Sequence, residues 1–150
     1  MSFLETYTHQ LNGQVLLLTE LSGLDRFSHI EYCGDLQVQA PEKPEDVADD
    51  ASLVEREKYL LELTQWKNAW DRLAFESQVS LVAYGLRDDE RLQNLESVEL
   101  RRDWVWNNLS PKAVTEIHNK VAEMSGMVIE VAEESDAADL RAEEPIDPKG

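Results

Sequence analysis

Cysteine, long apolar runs and basic residues are scarce in this 150-residue chain, and each shortage argues against a class of protein. Cys33 is the only cysteine, so no internal disulfide can form, and a reducing compartment fits best. No apolar run approaches the roughly 18 residues of a membrane-spanning helix, and the N-terminus lacks the basic and apolar segments of a secretory signal. We therefore expect a soluble protein that stays where it is made.

The charge balance is strongly acidic. The chain has 31 Asp and Glu against 14 Lys and Arg, a formal net charge of −17. Nucleic acids and anionic membranes bind positive surfaces, so the balance argues against both as ligands. It is compatible with a basic protein partner, with high solubility, or with mimicry of a nucleic acid. Much of the acid lies in 42–50 and 130–147, and the length allows one domain with a sizeable core.

Residues that serve catalysis or metal binding do not form a recognisable pattern. The three histidines are scattered, and none has a second ligand at the spacing of a helical zinc site. The chain has no glycine-rich phosphate loop, no G-x-S-x-G and no C-x-x-C. Asp88-Asp89-Glu90 and Glu133-Glu134 are adjacent acids, but a catalytic pair needs a dry pocket, and we expect these to be solvated. We predict no catalytic residue, no metal and no cofactor.

The longest regular pattern runs from Leu53 to Tyr84 and predicts one long amphipathic helix. No Gly or Pro interrupts it before Gly85, and Asp50 or Ser52 can cap its start. Its apolar residues recur at helical spacing: Leu53, Leu60, Leu63, Trp66, Trp70, Leu73, Ala74, Leu81 and Tyr84. A single stripe of this length needs a partner. We expect the rest of the chain to supply it, with Trp66 and Trp70 in the core.

The segments before this helix predict a hairpin, a shorter helix and a loop. Residues 3–19 have strand character on both sides of Asn12-Gly13, a dipeptide that favours a tight hairpin turn. A helix follows over about 20–33, capped by Thr19 or Ser22. Its apolar stripe consists of Leu21, Leu24, Phe27 and Ile30. Residues 39–50 contain two prolines and many acids, which predicts a flexible acidic loop.

The second half of the chain predicts two more helices and a tail. Residues 95–109 are amphipathic, and Ser110-Pro111 restarts a helix that ends near Gly126. The fold class is therefore mainly α (α+β), with the hairpin packed on a bundle of three to four helices. We assign 1–127 to one domain and expect 128–150 to be a disordered acidic tail.

The tryptophans of the third helix are the candidate partner-binding residues. Trp104 and Trp106 flank Val105, so their side chains point to different sides of a helix and cannot both face one core. An exposed tryptophan is a frequent anchor in protein interfaces. We assign partner binding to Trp104, Val105, Trp106 and Leu109.

Two segments resemble a known family. FLETYTHQLNGQVLLLTELSGLDRFSHI (3–30) has the strand, Asn-Gly turn, strand and T/S-E-L-S-x-L-x-R helix start of the phage lambda minor tail protein G family, the tail assembly chaperones. NNLSPKAVTEIHNKVAEMSGM (107–127) resembles the closing helix of that family, and SLVAYGL (80–86) is similar to the end of its middle helix. The acidic, proline-containing tail also fits, whereas 35–60 diverges.

The resemblance implies a non-enzymatic role in assembling long-tailed (siphovirus) phages. Such chaperones are late proteins of the host cytoplasm that bind the tape measure protein, keep it soluble and help recruit tail tube subunits. They are absent from the mature virion. A −1 ribosomal frameshift extends a fraction of the molecules with a domain that contacts the tail tube protein. Self-association stays open.

A second class of function also fits an acidic chain. A DNA mimic that inhibits a host DNA-binding protein requires ordered carboxylates on one folded face. The acids of this chain are concentrated in the predicted loop and tail instead, which favours the chaperone.

Overall fold

The computed structural model describes residues 3–127, which form a two-stranded sheet followed by four helices. The elements are β1 (Thr6–Leu11), β2 (Gln14–Thr19), α1 (Gly23–Val38), α2 (Leu53–Gly85), α3 (Val98–Asn108) and α4 (Pro111–Met124). The predicted fold class, mainly α with an N-terminal hairpin, is confirmed. The predicted tail, 128–150, lies outside the described residues. Within 3–127, no helix is both long and apolar enough to cross a membrane.

The hairpin turns at Asn12-Gly13, as the sequence predicts. β1 and β2 pair antiparallel, with Leu11 opposite Gln14 at the turn. Asn12 has φ 52° and Gly13 has φ 80°, so both central residues lie in the left-handed region that this dipeptide tolerates. β2 buries Leu16 and Leu18 against the helices, whereas β1 is mostly exposed.

Every helix begins at a serine whose hydroxyl accepts a hydrogen bond from the backbone amide three residues later. These serines are Ser22, Ser52, Ser97 and Ser110. Such a cap satisfies one of the four free amides of a helix start. Ser22 rather than Thr19 caps α1, because Thr19 is the last residue of β2. Ser110 caps α4 with Pro111 at its first position, as predicted.

The core surrounds the C-terminal end of α2. All seven residues from Val79 to Gly85 are buried, because α1, α3, α4 and the hairpin enclose this end of the helix. α4 contributes a regular apolar face that includes Ile117 and Val121. α1 runs antiparallel to α2, since Asp25 near its start pairs with Arg87 at 3.2 Å and His29 reaches Ser80.

Asp89 is buried rather than solvated, which corrects the expectation for the 88–90 acids. Only 2% of its surface is exposed. Its carboxylate accepts hydrogen bonds from the amides of Leu17 and Arg91, at 2.8 and 2.9 Å, and pairs with the Arg91 guanidinium at 2.9 Å. Asp89 thus joins the turn after α2 to β2, and these partners compensate for its burial. Glu133 and Glu134 lie outside the described residues.

The predicted apolar stripe of α1 is only partly internal. Leu21 is buried, but the side chains of Leu24, Phe27 and Ile30 face outward. α1 instead turns His29 and Leu36 towards α2. A stripe at three-residue steps drifts around a helix with 3.6 residues per turn, so its members cannot all meet one neighbour.

Candidate docking surface

The N-terminal half of α2 extends past the core. We call residues 53–70 the arm. A capping box starts it: Ser52 accepts from the amide of Glu55 at 3.1 Å, and the Glu55 carboxylate accepts from the amide of Ser52 at 2.8 Å. None of the arm residues is buried, whereas the residues at the C-terminal end of α2 are. The sequence predicts one continuous helix. Which part of that helix is buried depends on where the neighbouring helices end.

One side of the arm is apolar and uncovered. Leu53 and Val54 are 71% and 74% exposed, and Leu60 and Leu61 are 59% and 58% exposed. Residues seven apart lie on the same side of a helix, so these four side chains form two apolar pairs on one side, with Glu57 between the pairs. We call these four residues the bare face. Exposed leucines are common singly, but four exposed apolar side chains on one side of two successive turns are typical of an interaction surface.

Trp106 of α3 contacts α2 on the same side as the bare face, but nearer the core. Its ring contacts Phe75 edge-on, at 5.0 Å between centroids, and the Arg72 guanidinium lies 5.6 Å above it. Phe75 follows Leu61 by 14 residues and so lies on the same side of α2. Trp106 remains 41% exposed. Thr64, Asn68 and Asp71 lie between Leu61 and Phe75 on this side of α2, so Phe75 and Trp106 form a separate apolar patch.

The other three predicted partner-binding residues face the body of the protein. Val105 is fully buried, and Trp104 and Leu109 are partly buried against the core. Trp104 and Leu109 also line an open cavity of about 390 Å³ between α3 and the hairpin, together with Leu11 and Arg91. The structure therefore separates Trp106, on the arm side, from Trp104, on the hairpin side. Their role in partner binding stays a prediction.

A second line of α2, apolar except for Ser77 and Ser80, follows a heptad pattern. We call it the seam; its spacing alternates between four and three residues: Tyr59, Leu63, Trp66, Trp70, Leu73, Ser77, Ser80 and Tyr84. This is the spacing of residues that face a partner helix in a coiled coil. α1 covers the C-terminal part: Cys33 and Leu36 face Trp70, Leu73 and Ser77 across a cavity of about 190 Å³.

The prediction that Trp66 and Trp70 are core residues was wrong. Trp70 is 39% exposed at the end of α1, and Trp66 is half-buried on the arm. The predicted single stripe is in fact two lines, because Leu53 and Leu60 belong to the bare face and Leu63, Trp66 and Trp70 to the seam. Apolar residues on two sides of a helix look like one broad stripe in a periodicity analysis.

The predicted acidic loop lies along the arm. We call residues 40–50 the strap. Its exposed contacts to α2 are polar: Trp66 donates to the carbonyl of Pro41 at 3.1 Å, the Tyr59 hydroxyl donates to Asp46 at 2.8 Å, and Arg56 donates to the carbonyl of Asp49 at 2.6 Å. The Lys43 ammonium also lies 5.9 Å from the Trp66 ring centroid. The strap therefore lies against Tyr59 and Trp66 of the seam and leaves the bare face open.

Two contacts of His29 are the arrangements with catalytic appearance among the described residues: one with the hydroxyl of Ser80, and one in which Cys33 Sγ lies 3.5 Å from His29 Nε2. His29 Nδ1 lies 3.1 Å from Ser80 Oγ, a contact between distant segments that the sequence did not indicate. Ser80 has no exposed surface, so a substrate cannot reach its hydroxyl in this structure. Burial, with smaller contributions from the charges of His118 and Arg102, lowers the pKa of His29 to about 4. A base with this pKa is neutral at pH 7, and the contact holds α1 on α2.

Metal and thiol chemistry have little support among the described residues. Residues 3–127 contain no group of three or more His, Cys, Asp or Glu side chains that could hold a metal ion. Burial raises the pKa of Cys33 more than a hydrogen bond with Ser77 lowers it. A thiol is reactive as the thiolate, so Cys33 is a packing residue here.

The comparison with protein families gives one result. Residues 2–144 match the family described as bacteriophage lambda tail assembly chaperone, TAC, protein G. The match covers nearly the whole chain and confirms the resemblance that the sequence motifs indicated. Neither the curated proteins nor the solved structures gave a match.

Proposed function

We propose that this chain, which belongs to the family of the lambda tail assembly chaperone protein G, binds the tape measure protein of its phage through the bare face of the arm. The family consists of tail assembly chaperones, and it is not known as an enzyme family. The observation that carries the proposal is the uncovered apolar face of the arm. Its two apolar pairs span about two helical turns, a surface that the apolar stripe of another helix can contact.

The chemistry of the surface favours an amphipathic helix with basic flanks as the occupant. Leu53, Leu60 and their neighbours supply apolar contacts to the stripe of such a helix. The strap beside them carries five acids, Glu42, Glu45, Asp46, Asp49 and Asp50, against Lys43 alone. Opposite charges at the rim of an interface accelerate association and disfavour wrong partners.

A tape measure protein has the physical need that such a surface meets. It is long and largely helical, and its apolar stripes stay exposed until the tail tube encloses them, so it would aggregate alone. A chaperone that covers the stripes and adds negative charge keeps the complex soluble, because like-charged particles repel. The net charge of −17 serves this purpose.

The proposal includes the later steps of tail assembly. The chaperone acts in the host cytoplasm, helps recruit tail tube subunits to the tape measure protein, and leaves before the virion is complete. A −1 frameshift-extended form contacts the tube protein. Codons for Asp147-Pro148-Lys149 can contain a slippery run, so the gene sequence tests this step. If no slippery run occurs there or nearby upstream, the frameshift does not apply to this protein.

Co-expression with the tape measure protein of the same phage tests the central claim. We expect soluble tape measure protein that co-purifies with the wild-type chain. A Leu60→Glu variant should lower the soluble yield and weaken binding at least tenfold, because a carboxylate on the bare face must be desolvated on docking. Leu24→Glu is the matched control, since Leu24 is also an exposed helical leucine, 77% against 59% for Leu60, and lies on α1, away from the arm.

Three outcomes would contradict the proposal. A tape measure protein that stays insoluble with the wild-type chain would remove the chaperone role. A loss of binding in Leu24→Glu instead of Leu60→Glu would move the client site to α1. Displacement of DNA from a host DNA-binding protein by this chain, without tape measure binding, would favour the DNA mimic.

A further inference from the structure

We propose that the arm part of the seam, Tyr59, Leu63 and Trp66, is a second docking face for an amphipathic helix of the same client, and that the strap occupies it in the free protein. The inference rests on the proposed function and adds to it a regulated site. In the absence of client the strap shields the seam, and a client helix displaces it.

Continuity with an existing interface identifies the occupant. One turn further along the seam, α1 already docks on Trp70, Leu73 and Ser77 with its own apolar and small side chains. The heptad spacing does not change where α1 ends, at Val38. A helix placed end to end with α1 would therefore meet the same kind of surface, at the spacing that knobs-into-holes packing requires.

The strap is a poor match for the surface that it covers. Most of its residues are exposed, and none of them is buried. A cavity of about 530 Å³ remains between the strap and the arm; Tyr59 is the one seam residue that lines it, and most of the other lining residues are charged, among them Glu45 and Glu62. The strap is therefore loosely packed on the arm, and a helix that packs closely on the seam would gain contacts that the strap does not make.

Few contacts hold the strap, and all of those described are accessible to water. The hydrogen bonds from Trp66, Tyr59 and Arg56 join exposed groups. Water can replace each of them when the strap leaves, so each adds little to the stability of the covered state. The apparent affinity for a client is the intrinsic affinity multiplied by the fraction of molecules whose seam is open.

A pair of variants distinguishes the effect of releasing the strap from the effect of removing a negative charge. Asp46→Ala removes the acceptor of the Tyr59 hydroxyl, whereas Glu45→Ala removes the same charge from a neighbouring side chain without a described hydrogen bond. The probe is the tape measure segment that co-purifies with the wild-type chain, and its Kd is measured by titration. We expect Asp46→Ala to bind about threefold tighter or more than Glu45→Ala, because more molecules have an open seam.

Limited proteolysis reports the position of the strap directly. A protease specific for Glu can cut after Glu42 and Glu45, whereas Glu62 and Glu76 lie further inside the α2 helix and are protected. Binding of the tape measure segment to the wild-type chain should accelerate cleavage in the strap several-fold. Leu60→Glu should abolish docking on the bare face but leave the free-state cleavage rate of the strap unchanged.

The outcomes distinguish the two proposals. Binding with unchanged strap cleavage, and with equal Kd values for Asp46→Ala and Glu45→Ala, overturns the second docking face while the proposed function stands. Slower strap cleavage in the complex also overturns it, because the strap would then be part of the bound state. No binding by the wild-type chain refutes the proposed function itself.

Discussion

Gly85 ends α2 at its closest approach to α4, and we predict that Gly85→Ala destabilises the fold. A Cβ at this position would lie 2.5 Å from Val121 Cγ2 and 2.9 Å from Val121 Cγ1, closer than carbon atoms approach without strain. Val121 is fully buried, and a β-branched side chain in a helix has one strongly preferred rotamer. Its methyl groups therefore cannot rotate away without cost.

Two opposing effects set the magnitude. Alanine is more favourable than glycine in a helix by up to about 1 kcal/mol, and by less at the last helical residue. Overpacking of a well-packed core costs about 1–3 kcal/mol. Since the contact with Val121 is shorter than a tolerable distance, packing decides the sign, and we expect a net loss of about 1–2 kcal/mol. For a domain of this size that loss lowers Tm by roughly 3–8 °C.

Urea unfolding followed by circular dichroism measures the change, and a double-mutant cycle identifies its cause. In a Val121→Ala background the clashing methyl groups are gone, so Gly85→Ala should there be neutral or stabilising. The intrinsic preference of helices for alanine predicts the opposite sign in the wild-type background. If Gly85→Ala is as stable as the wild-type chain or more stable, this result would refute the close contact between Gly85 of α2 and Val121 of α4.

Two further predictions concern buried titratable groups. Burial, with smaller contributions from the charges of His118 and Arg102, lowers the folded-state pKa of His29 from 6.5 to about 4, so the unfolded chain binds the proton more tightly. As the pH falls from 6.5 to 4, the unfolding free energy of the wild-type chain should therefore drop by about 3 kcal/mol more than that of His29→Gln. If the unfolding free energies of the two proteins change in parallel with pH, this prediction is refuted. Burial would raise the pKa of Asp89, but hydrogen bonds from Arg91 and Leu17 outweigh it and lower the pKa. Asp89→Asn should therefore cost about 1–3 kcal/mol at pH 7, a difference that shrinks as the pH falls through the lowered pKa of Asp89, and a constant difference would refute the role of its charge.

Local signals account for the parts of the fold that the sequence predicted. The Asn12-Gly13 turn and the start of α4 at Ser110-Pro111 depend on the residues themselves, because positive φ, side-chain capping and a fixed proline φ act within a few residues. The gap in the helical pattern after Gly85 likewise marked the end of α2. These features require no knowledge of what packs where.

The missed features depend on contacts between distant segments. His29 meets Ser80 and Leu17 meets Asp89 only because the chain folds α1 and β2 against the end of α2. The 88–90 acids look solvated in sequence, since the partners that compensate for burial of Asp89 include a backbone amide 72 residues away. No local pattern encodes such a pairing.

The candidate site was missed for a related reason. Periodicity identified the apolar residues of α2 but could not tell which would find a partner within the chain. That depends on the lengths of the neighbouring helices: α1 ends beside Trp70, and α3 ends where Trp106 meets Phe75. The same helix is therefore core at Val79–Gly85 and surface in the arm. The helix itself is predictable from the sequence. Whether a given part of it is core or surface depends on how far the neighbouring helices extend.

The arm makes few tertiary contacts, so its helical structure depends mainly on its continuity with the rest of α2. An isolated helix of about 18 residues is marginal in water, and a capping box adds only about 1 kcal/mol. The arm is stable because it continues from Val79–Gly85, where nucleation is already accomplished by the core. Its outer turns near Leu53 are thus the least protected part of α2, and a client helix on the bare face would stabilise them. A client bound there should slow amide exchange most strongly in the first turns of the arm and leave the core end of α2 unchanged. Uniform protection along all of α2 would mean that the client binds the body and not the arm.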